Sequence, residues 1–231
     1  MRPAIRVYLA CLILLTLVTI PLPLPSFLIS GTTTGASARE LARFLDHTPT
    51  SPQRATVLGY QREEFGPGWA TLPSGCTVRE QLLVKHFSLH DDIPSELSQP
   101  GCVSSLSALD PAVVIPDPYT GEDLVRADVE IDHVVPLSAA WDMGAYAWDA
   151  QTRHAFANDP ANLVVTSRAA NQEKSDQLPS QWLPPDKRAR CTYVTTLAHV
   201  TYRYSLALPA SDKTVMRKQC RMSIGEWLLL S

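Results

Sequence analysis

Between residues 130 and 174 the chain gathers carboxylates, an imidazole, amides and an ammonium in a fixed order. Glu130-Ile-Asp132-His133-Val-Val-Pro136-Leu137 comes first. Asn162-Leu-Val-Val follows, and Asn171-Gln-Glu-Lys174 begins nine residues after Asn162. An Asp-His pair alone is weak evidence, since such a pair on a strand is commonly structural. The ordered set is what phosphodiester hydrolysis requires: water made nucleophilic, charge on the phosphate offset, and the leaving oxygen stabilised. A near-neutral imidazole can take the proton from water. A carboxylate and an amide oxygen can hold a hard divalent cation while leaving positions open for water and substrate.

These side chains need elements to position them. Asp128 to Leu137 reads as a buried strand, with the β-branched Val129, Ile131, Val134 and Val135 around the polar positions. On a strand, Asp132 and His133 point to opposite faces, so local twist has to bring both to one phosphate. Ala139 to Phe156 reads as a helix or a broken helical insertion, and Asn162 to Thr166 as a second strand. Ser167 to Asp176 reads as a helix entered from Ser167 and stopped before Pro179.

Further out, short helices are expected at Glu40–His47 and Thr77–Phe87, the latter from Val78, Leu82, Leu83 and Phe87. Two more are expected at Asp186–Leu206 and Ser211–Leu230, separated by Pro209. Asp117-Pro-Tyr-Thr-Gly121 is a turn sequence closing a proline-, serine- and aspartate-rich stretch, residues 91–122. The basic run Lys187-Arg188-Ala-Arg190 reads as a solvated helix face, with a phosphate patch as the alternative, and Trp141, Trp148 and Trp182 as core or loop anchors rather than base-stacking platforms. His86, His90, His154 and His199 have no partner at metal-ligand spacing and read as surface or structural.

The set Glu-x-Asp-His-x-x-Pro, Asn-Leu-Val and Asn-x-x-Lys resembles the HNH endonuclease family, whose catalytic unit is two strands and a helix around a metal. The resemblance is closest to secreted bacterial HNH proteins related to the nuclease domain of modification-dependent restriction enzymes. Tyr60-x-Arg62-x-x-Phe65-Gly66-x-x-Trp69, Gly75-Cys76-x-x-Arg79, Asp117-Pro-Tyr-Thr-Gly121, Ala157-Asn-Asp-Pro160, Trp182-Leu-Pro-Pro185 and Arg190-Cys191-x-Tyr193 also resemble that branch, extending the likeness over most of residues 58–220. It implies an α+β fold with a small ββα-metal core at about residues 128–178, surrounded by helices. It also implies His133 as general base and Asp132 and Asn171 as metal ligands. Asn162 would tie the loop to the site, and Glu130 would add a metal contact or support one. Lys174 would meet phosphate or fix Asp132, against a bland reading as a solvated helix lysine. Arg62 and Arg79 would contact substrate phosphate, against a reading of each as a salt-bridge partner. Magnesium is the expected cofactor, with manganese as substitute, and DNA the expected substrate, with RNA as the alternative. The paired zinc cysteines that brace many HNH proteins are missing.

The N-terminus sets the compartment. Arg2 and Arg6 precede an uncharged run from Val7 to Ala38, whose strongly apolar part, Tyr8 to Ile20, is short for a bilayer span and is broken by Pro21, Pro23 and Pro25. Ala36-Ser37-Ala38 supplies the small residues of a cleavage site, so residues 1–38 are expected to be an export signal, or else an N-terminal anchor. That leaves one domain over residues 39–231, secreted and without stable membrane association. Four cysteines remain after Cys11: Cys76, Cys102, Cys191 and Cys220. Three pairings are possible; Cys76–Cys102 and Cys191–Cys220 are preferred because each closes a short loop, worth about 3 kcal/mol. No C-x-x-C spacing suggests a zinc knuckle or redox pair.

Charge constrains the partner. Without Arg2 and Arg6, 18 basic side chains stand against 23 acidic ones, a net charge of about −5. Proteins that grip nucleic acid by neutralising many phosphates are usually basic, so binding here has to be local and metal-assisted. The acidic balance also supports a rival, an HNH-scaffold binding module without catalysis. A metal peptidase is the other rival, disfavoured by the lack of His-Glu-x-x-His and by Asp/Asn ligands that suit a hard cation better than zinc.

Overall fold

Local sequence chemistry sets the helix starts. Helix α1 covers residues 38–47, with Leu41 and Leu45 buried one turn apart. Helix α2 (Val78–Phe87) begins at a reciprocal cap: the Glu80 carboxylate accepts from the Thr77 amide at 2.7 Å, and the Thr77 hydroxyl accepts from the Glu80 amide at 3.2 Å. The computed structural model describes residues 38–87, 109–110 and 112–220. Residues 1–37 of the expected leader, Cys102, His90 and the last residues of the expected C-terminal helix lie outside these. The described residues fall in one contact unit.

Three two-stranded pairings are present among the described residues. Strand β1 (Thr50–Ser51) runs parallel to β6 (Leu208–Pro209). Strands β2 (Val114–Pro116) and β3 (Asp123–Val125) form a hairpin around the Asp117–Gly121 turn. Strands β4 (Val129–His133) and β5 (Leu163–Ser167) pair antiparallel, with Asp132 opposite Val164 and His133 opposite Leu163.

Strand β4 is shorter than the β-branched run suggests. It ends at His133 because Asn162 takes both following amides: Val134 donates to its backbone oxygen and Val135 to its side-chain oxygen, each at 2.8 Å. Pro136 then leads into helix α3 (Leu137–Asp142). The expected insertion is indeed broken: Gly144, at φ 134°, ends α3's turn, a 3-10 turn covers Ala145–Ala147, and α4 (Ala150–Ala157) starts from an Asp149 cap. Helix α5 (Arg168–Lys174) is capped by the Ser167 hydroxyl.

The basic run is a correction to the sequence reading. Residues 187–189 form a turn, and helix α6 (Arg190–Arg203) starts only after it. Within the turn Asp186 accepts from the Arg188 amide at 2.9 Å and pairs with its guanidinium, a local contact that competes with helix. Helix α7 (Ala210–Gln219) follows β6.

Two apolar clusters flank the β4–β5 pair. The larger joins α1, α3, α4 and α6 through side chains such as Leu45, Ala140, Phe156 and Leu197. The smaller sets α2 against Val129, Leu163 and Val165. Trp141 and Trp182 are buried and Trp148 packs against the larger cluster, as the sequence reading expects. The Cys191–Cys220 disulfide joins the start of α6 to the residue after α7. Cys76 is also disulfide-bonded. Among the described residues no helix is long and apolar enough to cross a membrane.

Candidate active site

The β4–β5 register divides the strand residues between two faces. Ile131 and His133 share the face of Val165 and Leu163, while Glu130 and Asp132 share that of Thr166 and Val164. Sequence alone leaves open how Asp132 and His133 could serve one site from opposite faces. The answer is that the strand stops there. A cleft of about 230 Å³ wraps its end and is lined by both Asp132 and His133, together with Tyr60, Arg62, Asn171 and Asp176.

The His133 imidazole is buried, with Nε2 2.8 Å from the Ala157 carbonyl. A carbonyl only accepts, so Nε2 carries the proton and Nδ1 is the free acceptor of the neutral ring. Burial pushes its pKa down to about 4; the charges of Arg62 and Lys174 push the same way, and the Ala157 contact opposes them. The ring is therefore neutral at physiological pH, the state a general base needs. Trp69 lies parallel to it, with centroids 5.9 Å apart and planes 6° apart.

Asp132 is held from two sides. Tyr119 donates its phenolic proton to Oδ2 at 2.7 Å. Lys174 Nζ lies 3.0 Å from Oδ1 and 2.9 Å from Oδ2, and also donates to the His133 carbonyl at 2.8 Å. Lys174 is fully buried, so it is no solvated helix lysine, and its ammonium is directed at Asp132 and the backbone. Burial pushes the Asp132 carboxyl up and the Lys174 ammonium down, and each partner's charge opposes the shift in the other.

Asn171 and Lys174 stand three residues apart on α5, hence on one helix face. Asn171 Nδ2 donates to Glu130 Oε2 at 2.7 Å, and Arg168 occupies Oε1 at 3.1 Å. A carboxylate accepts only, so this contact orients the amide and leaves Asn171 Oδ1 as its remaining acceptor. Glu130 does not line the cleft; its contacts are with Asn171 and Arg168. Asn162, fully buried, braces the loop after His133: it accepts from the Val135 amide at 2.8 Å and donates to the Val135 carbonyl at 3.3 Å.

Of the two arginines singled out in the sequence, Arg62 comes to the cleft. Arg79 is on the first turn of α2 and lines neither this cleft nor the smaller one beside Trp69. Asp176 on the rim pairs with Arg54 at 2.8 Å and accepts from Ser138 at 3.2 Å.

Three contributors escape sequence reasoning: the Tyr119 phenol, the Ala157 carbonyl and the Trp69 ring. Their stretches are among those that resemble the family pattern, which is the signal that could have flagged them. Asp117 supports Tyr119. Buried at the start of its turn, it accepts from the Tyr119 amide and Thr166 hydroxyl at 2.8 Å and the Ser167 amide at 2.9 Å. The turn is thereby fastened to the junction of β5 and α5.

The donor set can be tested for a cation. Among the described residues no group of three or more His, Cys, Asp or Glu side chains could hold a metal. Facing the cleft are two carboxylates, Asp132 with a lone pair to spare and Asp176 with its Oδ2 taken by Arg54 and Ser138, together with the oriented Asn171 amide. Magnesium takes one or two carboxylates, keeps several waters and shares the substrate's phosphate, so these residues fit it.

Comparison with known proteins gives two findings. The model of the C-terminal domain of GmrSD restriction endonucleases matches residues 101–219, 119 of the 231 residues. An "Uncharacterized secreted protein" from Arthroderma benhamiae is 32% identical over 212 residues, covering 90% of this chain and 95% of its own. No solved structure matches.

Proposed function

The chain belongs to the family of the C-terminal domain of GmrSD restriction endonucleases, and on that footing we propose that it is a metal-dependent HNH endonuclease hydrolysing DNA, with RNA as the alternative substrate. One observation carries the reading: a neutral imidazole, its proton fixed on Nε2 by the Ala157 carbonyl, shares a cleft with Asp132 and Asn171. The strands β4 and β5 and helix α5 correspond in this reading to the ββα-metal core.

His133 Nδ1 accepts the proton of the attacking water, and burial in a neutral state makes it available for that step over the physiological range. Asp132 and Asn171 would hold magnesium, or manganese as substitute, which when bound supplies positive charge to the scissile phosphate and its leaving oxygen. Lys174 and Tyr119 keep Asp132 in place, and Glu130 turns the Asn171 amide so that its oxygen is the free acceptor. Arg62, which lines the cleft, binds a phosphate oxygen. We also propose that residues 1–38 direct export, in keeping with the relative's description as secreted.

The test uses protein with its disulfides formed, incubated with plasmid DNA in magnesium, in EDTA, and in magnesium with His133→Ala. Cleavage in the first alone supports metal, base and reaction together. Full activity in His133→Ala refutes the assignment of the base. No cleavage of DNA or RNA with any divalent metal favours the noncatalytic binding module instead.

A further inference from the structure

Two sequence stretches with family resemblance, Tyr60–Trp69 and Ala157–Pro160, meet at His133, yet the mechanism above uses neither Trp69 nor Asn158. The two stretches join at the end of α4. Ala157, its last residue, gives its carbonyl to His133 Nε2. Asn158, the buried residue that follows, accepts from the Ala70 amide at 2.8 Å and donates to the Gly68 carbonyl at 3.4 Å and the His154 carbonyl at 3.0 Å. It thus pins the backbone on both sides of Trp69. Gly66 lets the same loop come close: at φ 105°, a Cβ there would stand 2.4 Å from the His154 ring.

One N–H···O contact directs one ring nitrogen but leaves the ring free to tilt about it. A flat surface parallel to the ring removes that freedom, and Trp69 supplies one with planes only 6° apart. A base must also be held near its productive geometry, because small misplacements are costly in rate.

We propose that Trp69 is a positioning residue that sets the plane of the His133 imidazole so that Nδ1 faces the cleft, and that Asn158 acts through it by pinning residues 68–70. The proposal rests on His133 being the base. It assigns a role to ring stacking that volume alone cannot fill, and phenylalanine and leucine separate the two: both fill the site partly, and only phenylalanine offers a flat face.

The experiment compares Trp69→Phe, Trp69→Leu and Asn158→Ala with the unaltered protein, at matched folded fraction. Trp69→Phe should keep kcat within about threefold, while Trp69→Leu and Asn158→Ala lose about tenfold or more with KM little changed. A second readout needs no turnover. In EDTA at pH 7.5, the His133 Nε2 proton, followed by NMR on nitrogen-labelled protein, should persist in Trp69→Phe and exchange much faster in Trp69→Leu. Equal kcat in the phenylalanine and leucine variants overturns the proposal, as does an unchanged imidazole proton in Trp69→Leu. Should Trp69→Leu not fold, Trp69→Met makes the same comparison. If the unaltered protein cleaves nothing, the nuclease reading fails on its own, and the imidazole proton alone decides whether Trp69 holds the ring.

Discussion

Cutting Asn162 back to alanine tests whether the middle residue of the motif is a strut. Asn162 has no solvent exposure, and its side chain serves both backbone groups of Val135, itself fully buried. In Asn162→Ala the Val135 amide and carbonyl lose these partners, while the bond from the Val134 amide to the Asn162 backbone oxygen remains. A buried backbone group left unsatisfied costs about 1–3 kcal/mol. The amide contact, at 2.8 Å, belongs at the upper end and the carbonyl contact, at 3.3 Å, at the lower. The sum is about 3–4 kcal/mol, a large share of the stability of a domain this size. Urea unfolding with disulfides intact measures it as a lower midpoint at unchanged slope. Asn162→Asp keeps the acceptor but aims a second oxygen at the Val135 carbonyl, so it should not recover the loss at neutral pH. A loss below about 0.5 kcal/mol in Asn162→Ala, the range of ordinary surface changes, would refute the strut. Nuclease activity should fall as well, measured where both proteins are folded, because residues 134–136 carry the chain from His133 into α3.

Other expectations follow from the buried charges and the crosslink. The His133 pKa is lowered in the metal-free fold to about 4 from an ordinary 6.5, so the native state resists protonation. Its stabilising effect is full above pH 6.5 and is lost as pH falls towards 4, about 3 kcal/mol in all. Unfolding midpoints across that range should show the decline, and His133→Gln should flatten it. Lys174→Met leaves Asp132 buried without its counter-charge and should cost about 3–5 kcal/mol by chemical unfolding, with partial recovery in Lys174→Met combined with Asp132→Asn. The double substitution Cys191→Ala and Cys220→Ala opens a crosslink of sequence separation 29. It should lower stability by about 3–4 kcal/mol, read as a fall in the unfolding midpoint.

The sequence by itself determined what depends on near neighbours. Ser167 announces helix α5 because its hydroxyl reaches the Ala170 amide one turn on. Asn171 and Lys174 fall on one face because of helix periodicity, and Cys191 and Cys220 pair as their spacing suggested. The extent of β4 was less legible: four β-branched residues look like a longer strand, but Asn162, far along the chain, takes the amides of Val134 and Val135. The basic residues 187–190 likewise read as a helix face until Asp186 draws Arg188 into a turn.

Only the tertiary structure decided the surroundings of His133 and Asp132. Nothing local distinguishes the Tyr119 phenol as the partner of Asp132, or Trp69 as the surface beside His133, because each contact depends on how separate elements pack. The Ala157 carbonyl is the limiting case. Every residue carries one, so no letter of the sequence marks the one that fixes the imidazole's proton; its position at the end of α4, against β4, does.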